Sequence, residues 1–152
     1  MNVVIRELKP EDKVEWLRMR RALWPDCGEE RHVLEVELLQ RPSQGVVLVA
    51  VQPDGTPCGF AEISIRRDHV EGTAATPVPY LEGWYVDATC RGAGIGQKLI
   101  ASAETWASTQ GYTELASDAE LENQAGIAAH KECGFVEKGR TVHFVKSISR
   151  AR

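Results

Sequence analysis

Apolar side chains recur along this chain with two different periods, and the period changes where proline or glycine interrupts it. The run VVIREL at residues 3–8 reads as a short first strand. KPEDKVEWLRMRRALW then takes helical spacing, with Val14, Leu17 and Trp24 beside Trp16, Met19 and Leu23 on a core face. Pro10 and an acidic first turn suit its start. WPDCGEE interrupts the helix, the spacing resumes over residues 30–40, and Pro42 closes this second helix. GVVLVAVQ and CGFAEISIR are strand-like runs on either side of PDGTP, where proline fixes one dihedral and glycine supplies a positive one, so a hairpin follows.

Residues 66–79 are polar and rich in Thr, Ala and Pro, longer than most hairpin connections, and are expected to form a functional or mobile loop. YLEGWYV at 80–86 is too apolar for an edge strand. Ile95, Leu99, Ala103 and Trp106, with Ile100 and Ala107, form a helical stripe that ends at Gly111. TELAS predicts a short strand, ENQAGIAAHKECG a helix stopping at Gly134, and FVEKGRTVHFVKSIS a final hairpin around EKGR. The predicted fold class is mixed α/β, with helices bracketing central strands and residues 1–152 in a single domain.

Composition narrows the function classes. A chain of 152 residues suffices for one domain that buries about 70% of its unfolded surface. The net charge of −4 argues against a nucleic-acid-binding surface and suits a cationic partner. Cys27, Cys58, Cys90 and Cys133 are widely spaced, with no CxxC pair and no Cys/His cluster, so free thiols in a reducing compartment and no metal are expected. MNVVIRELKPEDK lacks the apolar core of a signal peptide, and no apolar run approaches the roughly 20 residues of a spanning helix. A cytoplasmic protein without membrane contact is the expectation.

The richest stretch is EGWYVDATCRGAGIGQKLIASAETWA, residues 82–107: an apolar strand, a basic residue among glycines, then an amphipathic helix. A dinucleotide fingerprint fails here, because counting GxGxxG from Gly92 places Gln97 at the third glycine and counting from Gly94 places Leu99 there. No register supplies a P-loop. What remains is Arg91-x-x-Gly94-x-Gly96, whose small residues let successive amides face a pyrophosphate at a helix N-terminus carrying about half a positive charge. A turn that merely reverses the chain is the alternative.

Arg91-x-x-Gly94-x-Gly96 after GWYVD resembles the acetyl-CoA signature of the GCN5-related N-acetyltransferase superfamily, and NQAGIAAHKECGF is similar to its second motif. Within that superfamily LWP at 23–25, SIRRDHVEG at 64–72, YLEGWYV, ASDAELEN at 116–123 and HKECGF at 130–135 resemble the chromosomal type of aminoglycoside 6'-N-acetyltransferase over nearly the whole chain. The resemblance implies a mixed, mostly antiparallel sheet, splayed after YLEGWYV and flanked by helices. It also implies acetyl-CoA as co-substrate, direct transfer to the 6'-amine of an aminoglycoside, antibiotic resistance, and a homodimer.

Site residues follow from the same resemblance. Backbone groups of Trp84, Tyr85 and Val86 would pair with the pantetheine amides, the Val86 N–H would polarise the thioester carbonyl, and Arg91, Gly92, Ala93, Gly94, Ile95, Gly96 and Gln97 would surround the pyrophosphate. Asn123 and His130 belong to the second motif, and His130 stands where a tyrosine often protonates the departing thiolate; acid, cofactor contact and packing all stay open for it.

Glu82, a carboxylate in an apolar strand, is either the base toward the amine or a group paired with an arginine or capping a bulge. Asp118 either faces it across the cleft or caps a turn, and Trp24 is a sugar-stacking wall or a core residue. His69 joins the expected substrate site, Glu137 either extends its acidic lining or is an exposed strand charge, and Cys27 stands where a relative has histidine. Other readings are acetylation of a polyamine or amino acid, and a CoA-binding module without turnover.

Overall fold

The computed structural model describes residues 2–150, which fall into two compact units dividing after Asp118. In the first unit, β1 (Val4–Glu7) leads through a 3-10 turn at Pro10–Asp12 into α1 (Lys13–Leu23) and α2 (Glu29–Leu39). Then come β2 (Gly45–Val51), β3 (Pro57–Arg66), β4 (Val78–Val86), α3 (Ile95–Thr109) and β5 (Ala116–Ser117). The strands lie in the order β1-β2-β3-β4-β5, the first four antiparallel and β5 parallel to β4. The second unit holds α4 (Gln124–Glu132).

The sheet is covered on both faces, and for this reason β2 reads as an unbroken apolar run. One face carries Val47, Val49 and Phe60, which form a buried cluster with Trp16, Met19 and Val36 of α1 and α2. On the other face, a Cβ added at Gly59 would sit 3.5 Å from Leu99 of α3, whose Leu99, Ile100, Ala103 and Ala107 are buried. Burying a side chain such as Phe60 contributes about 1.5–3 kcal/mol. The buried positions of α1 are Trp16, Met19 and Arg20; Val14, expected on the core face, is 76% exposed. A guanidinium thus takes a position that apolar spacing assigned to a neighbour.

Local signals set the helix ends. The Lys9 amide donates to Asp12 Oδ2 at 2.8 Å, and Arg6 grips the same carboxylate at 2.6 and 3.1 Å. The Arg6 bond holds Asp12 below the usual carboxylate range against the opposing effect of burial. Gly111 and Gly134, both at φ +90°, end α3 and α4 in the left-handed turn that glycine favours. The Tyr112 amide returns to Ala107 O and the Phe135 amide to His130 O, satisfying helix-end carbonyls.

Two expectations need correction. The 66–79 loop is pinned: the amides of Ala74 and Ala75 donate to the Glu114 carboxylate at 2.9–3.2 Å. Pro42 follows the end of α2, as expected, and opens a 3-10 turn at Pro42–Gln44. The final hairpin does not form, for residues 135–150 contain no strand, and Val142, Phe144, Val145 and Ile148 are 74–96% exposed. Alternating apolar residues predict a strand, but two strands need further pairing or a packed face to persist in water. None of the described helices is long and apolar enough to cross a membrane.

Candidate active site

A bulge in β4 builds the centre of the site. Glu62 of β3 opposes Gly83 while the next residue, Ile63, opposes Leu81, so Glu82 is the extra residue in the ladder. Bulges bend a strand and re-aim a side chain. Here the carboxylate lines a cavity of about 660 Å³ and is held by three donors. Ser64 Oγ and Arg66 Nε (2.9 Å) donate to Oε2, and Arg66 Nη2 (2.8 Å) donates to Oε1. Of the open sequence alternatives, the pairing with arginine and the bulge position are both realised.

Immediately beyond the bulge β4 loses its neighbour. β5 pairs only with Tyr80 and Leu81, so among the described residues the edge of β4 from Glu82 to Val86 has no strand beside it. The sheet therefore opens inside YLEGWYV, earlier than the sequence placed the split. An unpaired edge with a run of backbone amides and carbonyls is a template for an extended, amide-bearing ligand.

Trp24, the C-cap of α1, walls the same cavity. Its ring lies against Gly83, where an added Cβ would come within 2.5 Å of the indole, and beside Phe60 and His32 at ring-centroid distances of 6.4 Å. Beneath it Arg20 places its guanidinium 4.7 Å from the ring centroid. Arg20 also donates to Glu62 (2.6 and 3.2 Å), to Glu35 (2.7 Å) and to His32 Nδ1 (3.1 Å). Trp16 Nε1 completes the shell of Glu62 at 2.9 Å. Burial pushes the Glu62 carboxyl up while Arg20 opposes it. Since a guanidinium only donates, His32 carries its hydrogen on Nε2, a buried atom with no partner among the described residues.

The glycine turn lies at the far end of β4. Gly92 and Gly94 adopt φ +85° and +76°, conformations that side chains with a Cβ rarely take, and Gly94 is the N-cap of α3 without a capping side chain. The first amides of a helix lack intrahelical acceptors; with α3 starting at Ile95, those amides are available to an anion. The Trp84 indole donates to Gly96 O at 3.1 Å, which ties the first turn of α3 to β4. Arg91 folds back, its Nε donating to Val86 O at 2.8 Å.

The remaining expected residues separate. Asp118 accepts from the Tyr80 hydroxyl, and the Arg66 guanidinium lies 3.5 Å from the Tyr80 ring centroid, so Asp118 and Glu82 are linked through Tyr80 and Arg66. Burial first, then Asp118, raises the Tyr80 pKa. His69 is exposed in the loop and does not line the cavity; Cys27 does. In the second unit Asn123 Oδ1 accepts from the Gly126 amide, making it the cap of α4. His130 Nδ1 lies 2.6 Å from Gly126 O; the carbonyl only accepts, so Nδ1 carries hydrogen. Glu137 pairs with Arg140 at 3.0 Å, which lowers its pKa, and is exposed.

Sequence reasoning missed Arg20, Glu35, Glu62, Ser64 and Arg66. The signal for Glu62 was the same one used for Glu82, a carboxylate inside the apolar run CGFAEISIR. Arg31 and Glu35 stand at the i, i+4 spacing of a helical ion pair and meet at 2.9 Å. Nothing in the sequence announced that Arg20 would reach both Glu35 and Glu62.

Comparison with known proteins places the fold in a family. The family model described as the acetyltransferase (GNAT) family matches residues 14–135. An aminoglycoside N(6')-acetyltransferase type 1 of Stenotrophomonas maltophilia is 41% identical over 140 residues, 92% of this chain and 90% of that protein. One of Klebsiella aerogenes is 41% identical over 150 residues, covering 95% and 97%. Among solved structures, AAC(6')-Iy in complex with the bisubstrate analog CoA-S-monomethyl-acetylneamine superposes with a TM-score of 0.89 at 31% identity, covering 97% of this chain and all of that one. AAC(6')-Ih from Acinetobacter baumannii gives 0.88 at 36% identity, with the same coverage. The sheet opened beside a helix N-terminus is thus the GNAT fold, and this chain belongs to the acetyltransferase (GNAT) family.

Proposed function

We propose that the protein is an aminoglycoside 6'-N-acetyltransferase that uses acetyl-CoA and confers resistance by removing a positive charge from the antibiotic. The observation that carries this reading is the convergence, at the point where β4 loses its neighbour, of the carboxylates Glu82 and Glu35 with the Trp24 wall around one cavity. Acidic groups beside an aromatic face suit a polyammonium sugar. Relatives at 41% identity over nearly their whole length carry the same activity in their names.

Acetyl-CoA, when bound, supplies an activated acetyl thioester. The open β4 edge at Trp84–Val86 would hold its amide-bearing arm, the Val86 N–H would face the carbonyl, and the amides from Gly92 to Gln97, with Arg91, would hold the pyrophosphate. Glu82 binds the acceptor ammonium and takes its proton, with Asp118 and Tyr80 extending the polar path away from it. Asn123 caps the start of α4 and His130 donates from Nδ1 to Gly126 O; a cofactor contact for both is the part of the proposal that rests on the family resemblance alone. His69 and Glu137 stay in the proposal as outer substrate contacts.

Thiol release from acetyl-CoA against a panel of amines, with mass spectrometry locating the new acetyl group, tests the reading. Kanamycin is expected to be acetylated at the 6'-nitrogen with a higher kcat/KM than spermidine or free amino acids. A preference for one of the latter would replace the acceptor and keep the chemistry; no thiol release with any amine would leave a CoA-binding module.

We further propose that residues 1–152 act as one catalytic domain and that two copies associate. The matched region, residues 14–135, runs through both units. Exposed Val142, Phe144, Val145 and Ile148 offer an apolar segment for a second copy. Light scattering is expected to give twice the chain mass, and Phe144→Asp with Ile148→Asp to shift it to the monomer; a monomeric parent protein would end the proposal. A cytoplasmic location fits the four widely spaced cysteines, which include no CxxC pair.

A further inference from the structure

Two of the carboxylates lining the cavity are each paired with a partly exposed arginine. Glu82 is gripped by both arms of Arg66, at 2.9 and 2.8 Å, and Glu35 accepts from Arg31 at 2.9 Å. Both arginines reach solvent, their side chains being 43% and 76% exposed, while the carboxylates are less so at 29% and 32%. Arg20, buried at 1%, holds the second oxygen of Glu35 and lacks the freedom to leave. Arg66 is the last residue of β3, at the start of the 66–79 connection, and its guanidinium rests on the Tyr80 ring. The ring contact, made in the same pose as the ion pair, gives the guanidinium a partner besides the carboxylate.

We infer that Arg66 is a specificity-determining residue: its guanidinium occupies the acceptor's ammonium site on Glu82 and must be displaced by the incoming amine. The inference rests on the acetyltransferase reading above. An acceptor with a single ammonium exchanges one cation for another at Glu82 and gains little. One with several ammonium groups reaches Glu82 and Glu35 together, and the second contact offsets the loss of the Arg66 pair. The filter thus favours polycationic acceptors without any contact between Arg66 and the sugar. Arg31 repeats the arrangement at Glu35, on a more exposed and weaker footing.

The experiment compares kcat/KM for kanamycin, a polycation, and for 6-amino-6-deoxyglucose, a monocation, in the parent enzyme and in Arg66→Gln and Arg66→Lys. Arg66→Gln is expected to raise kcat/KM for the monocation relative to the polycation by about fivefold, the scale of a partly exposed ion pair. Arg66→Lys, which keeps the charge and loses the two-armed grip, should fall between. Equal losses for both acceptors would overturn the inference and leave Arg66 as a group that merely orients Glu82.

Failure of the acetyltransferase reading appears separately, as absent turnover of kanamycin by the parent enzyme. In that event the Nε–H resonance of Arg66, followed by NMR during titration with each amine, decides the question. Displacement by the polycation at lower concentration than by the monocation supports the filter; an unmoved resonance with both refutes it.

Discussion

Arg20→Met is expected to destabilise the protein by about 3–5 kcal/mol, the cost of leaving a buried charge without its partner. Arg20 and Glu62 are each only 1% exposed at the side chain, and two of the three arginine bonds into the β3/α2 carboxylates end on Glu62. Removing the guanidinium leaves Glu62 with Trp16 Nε1 alone, at a position where burial already disfavours its charge. Arg20→Met combined with Glu62→Leu should recover most of the loss, since apolar groups of similar volume replace a buried pair at little or no cost. Urea unfolding of the three proteins measures this. A single variant within about 1 kcal/mol of the parent, on the scale of an exposed pair, would show that the network is solvated rather than sealed. The same variant should disorder Trp24, which rests on Arg20, so weaker acceptor binding is expected to accompany the lost stability.

Glu82→Gln should lower kcat by about 10²-fold or more, the lower end of what a positioned acid or base supplies, and raise KM for the acceptor. The amide preserves the shape and can still accept from Ser64, but it carries no charge for an ammonium and takes no proton from it. Affinity for acetyl-CoA should stay unchanged, because the glycine turn at Gly92–Gly96, the proposed pyrophosphate site, lies at the other end of β4. Steady-state kinetics with calorimetry of CoA binding separates the two. Retention of parental kcat would remove Glu82 from proton transfer and leave it the role its bonds to Ser64 and Arg66 already give it. Residual turnover is expected in either case, since holding two reactants together supplies roughly 7–11 kcal/mol of the barrier by itself.

Most elements were legible because their signals are local. Proline at a helix start, a glycine at φ +90° after α3 and α4, and the PDGTP turn all act within a few residues. Residues 135–150 misled for a physical reason: the alternation of a strand is a property of the chain, whereas a strand also needs a neighbour, and none pairs with it among the described residues. Glu82 was singled out with a bulge among its alternatives, but the register that makes it the extra residue was not legible, because two residues opposing one is a relation between β3 and β4. Asp118 was expected to face Glu82, and the structure inserts Tyr80 and Arg66 between them.

By itself the sequence determined the periods, the turns and the glycine-rich helix entry, since each depends on dihedral preferences and on side chains three or four positions apart. The arginines of the site were decided only by the tertiary structure. Arg20 meets Glu62 from 42 positions away and Arg66 meets Glu82 from 16, and whether a charge is buried and paired or stands exposed in a cavity depends on what the rest of the chain packs around it.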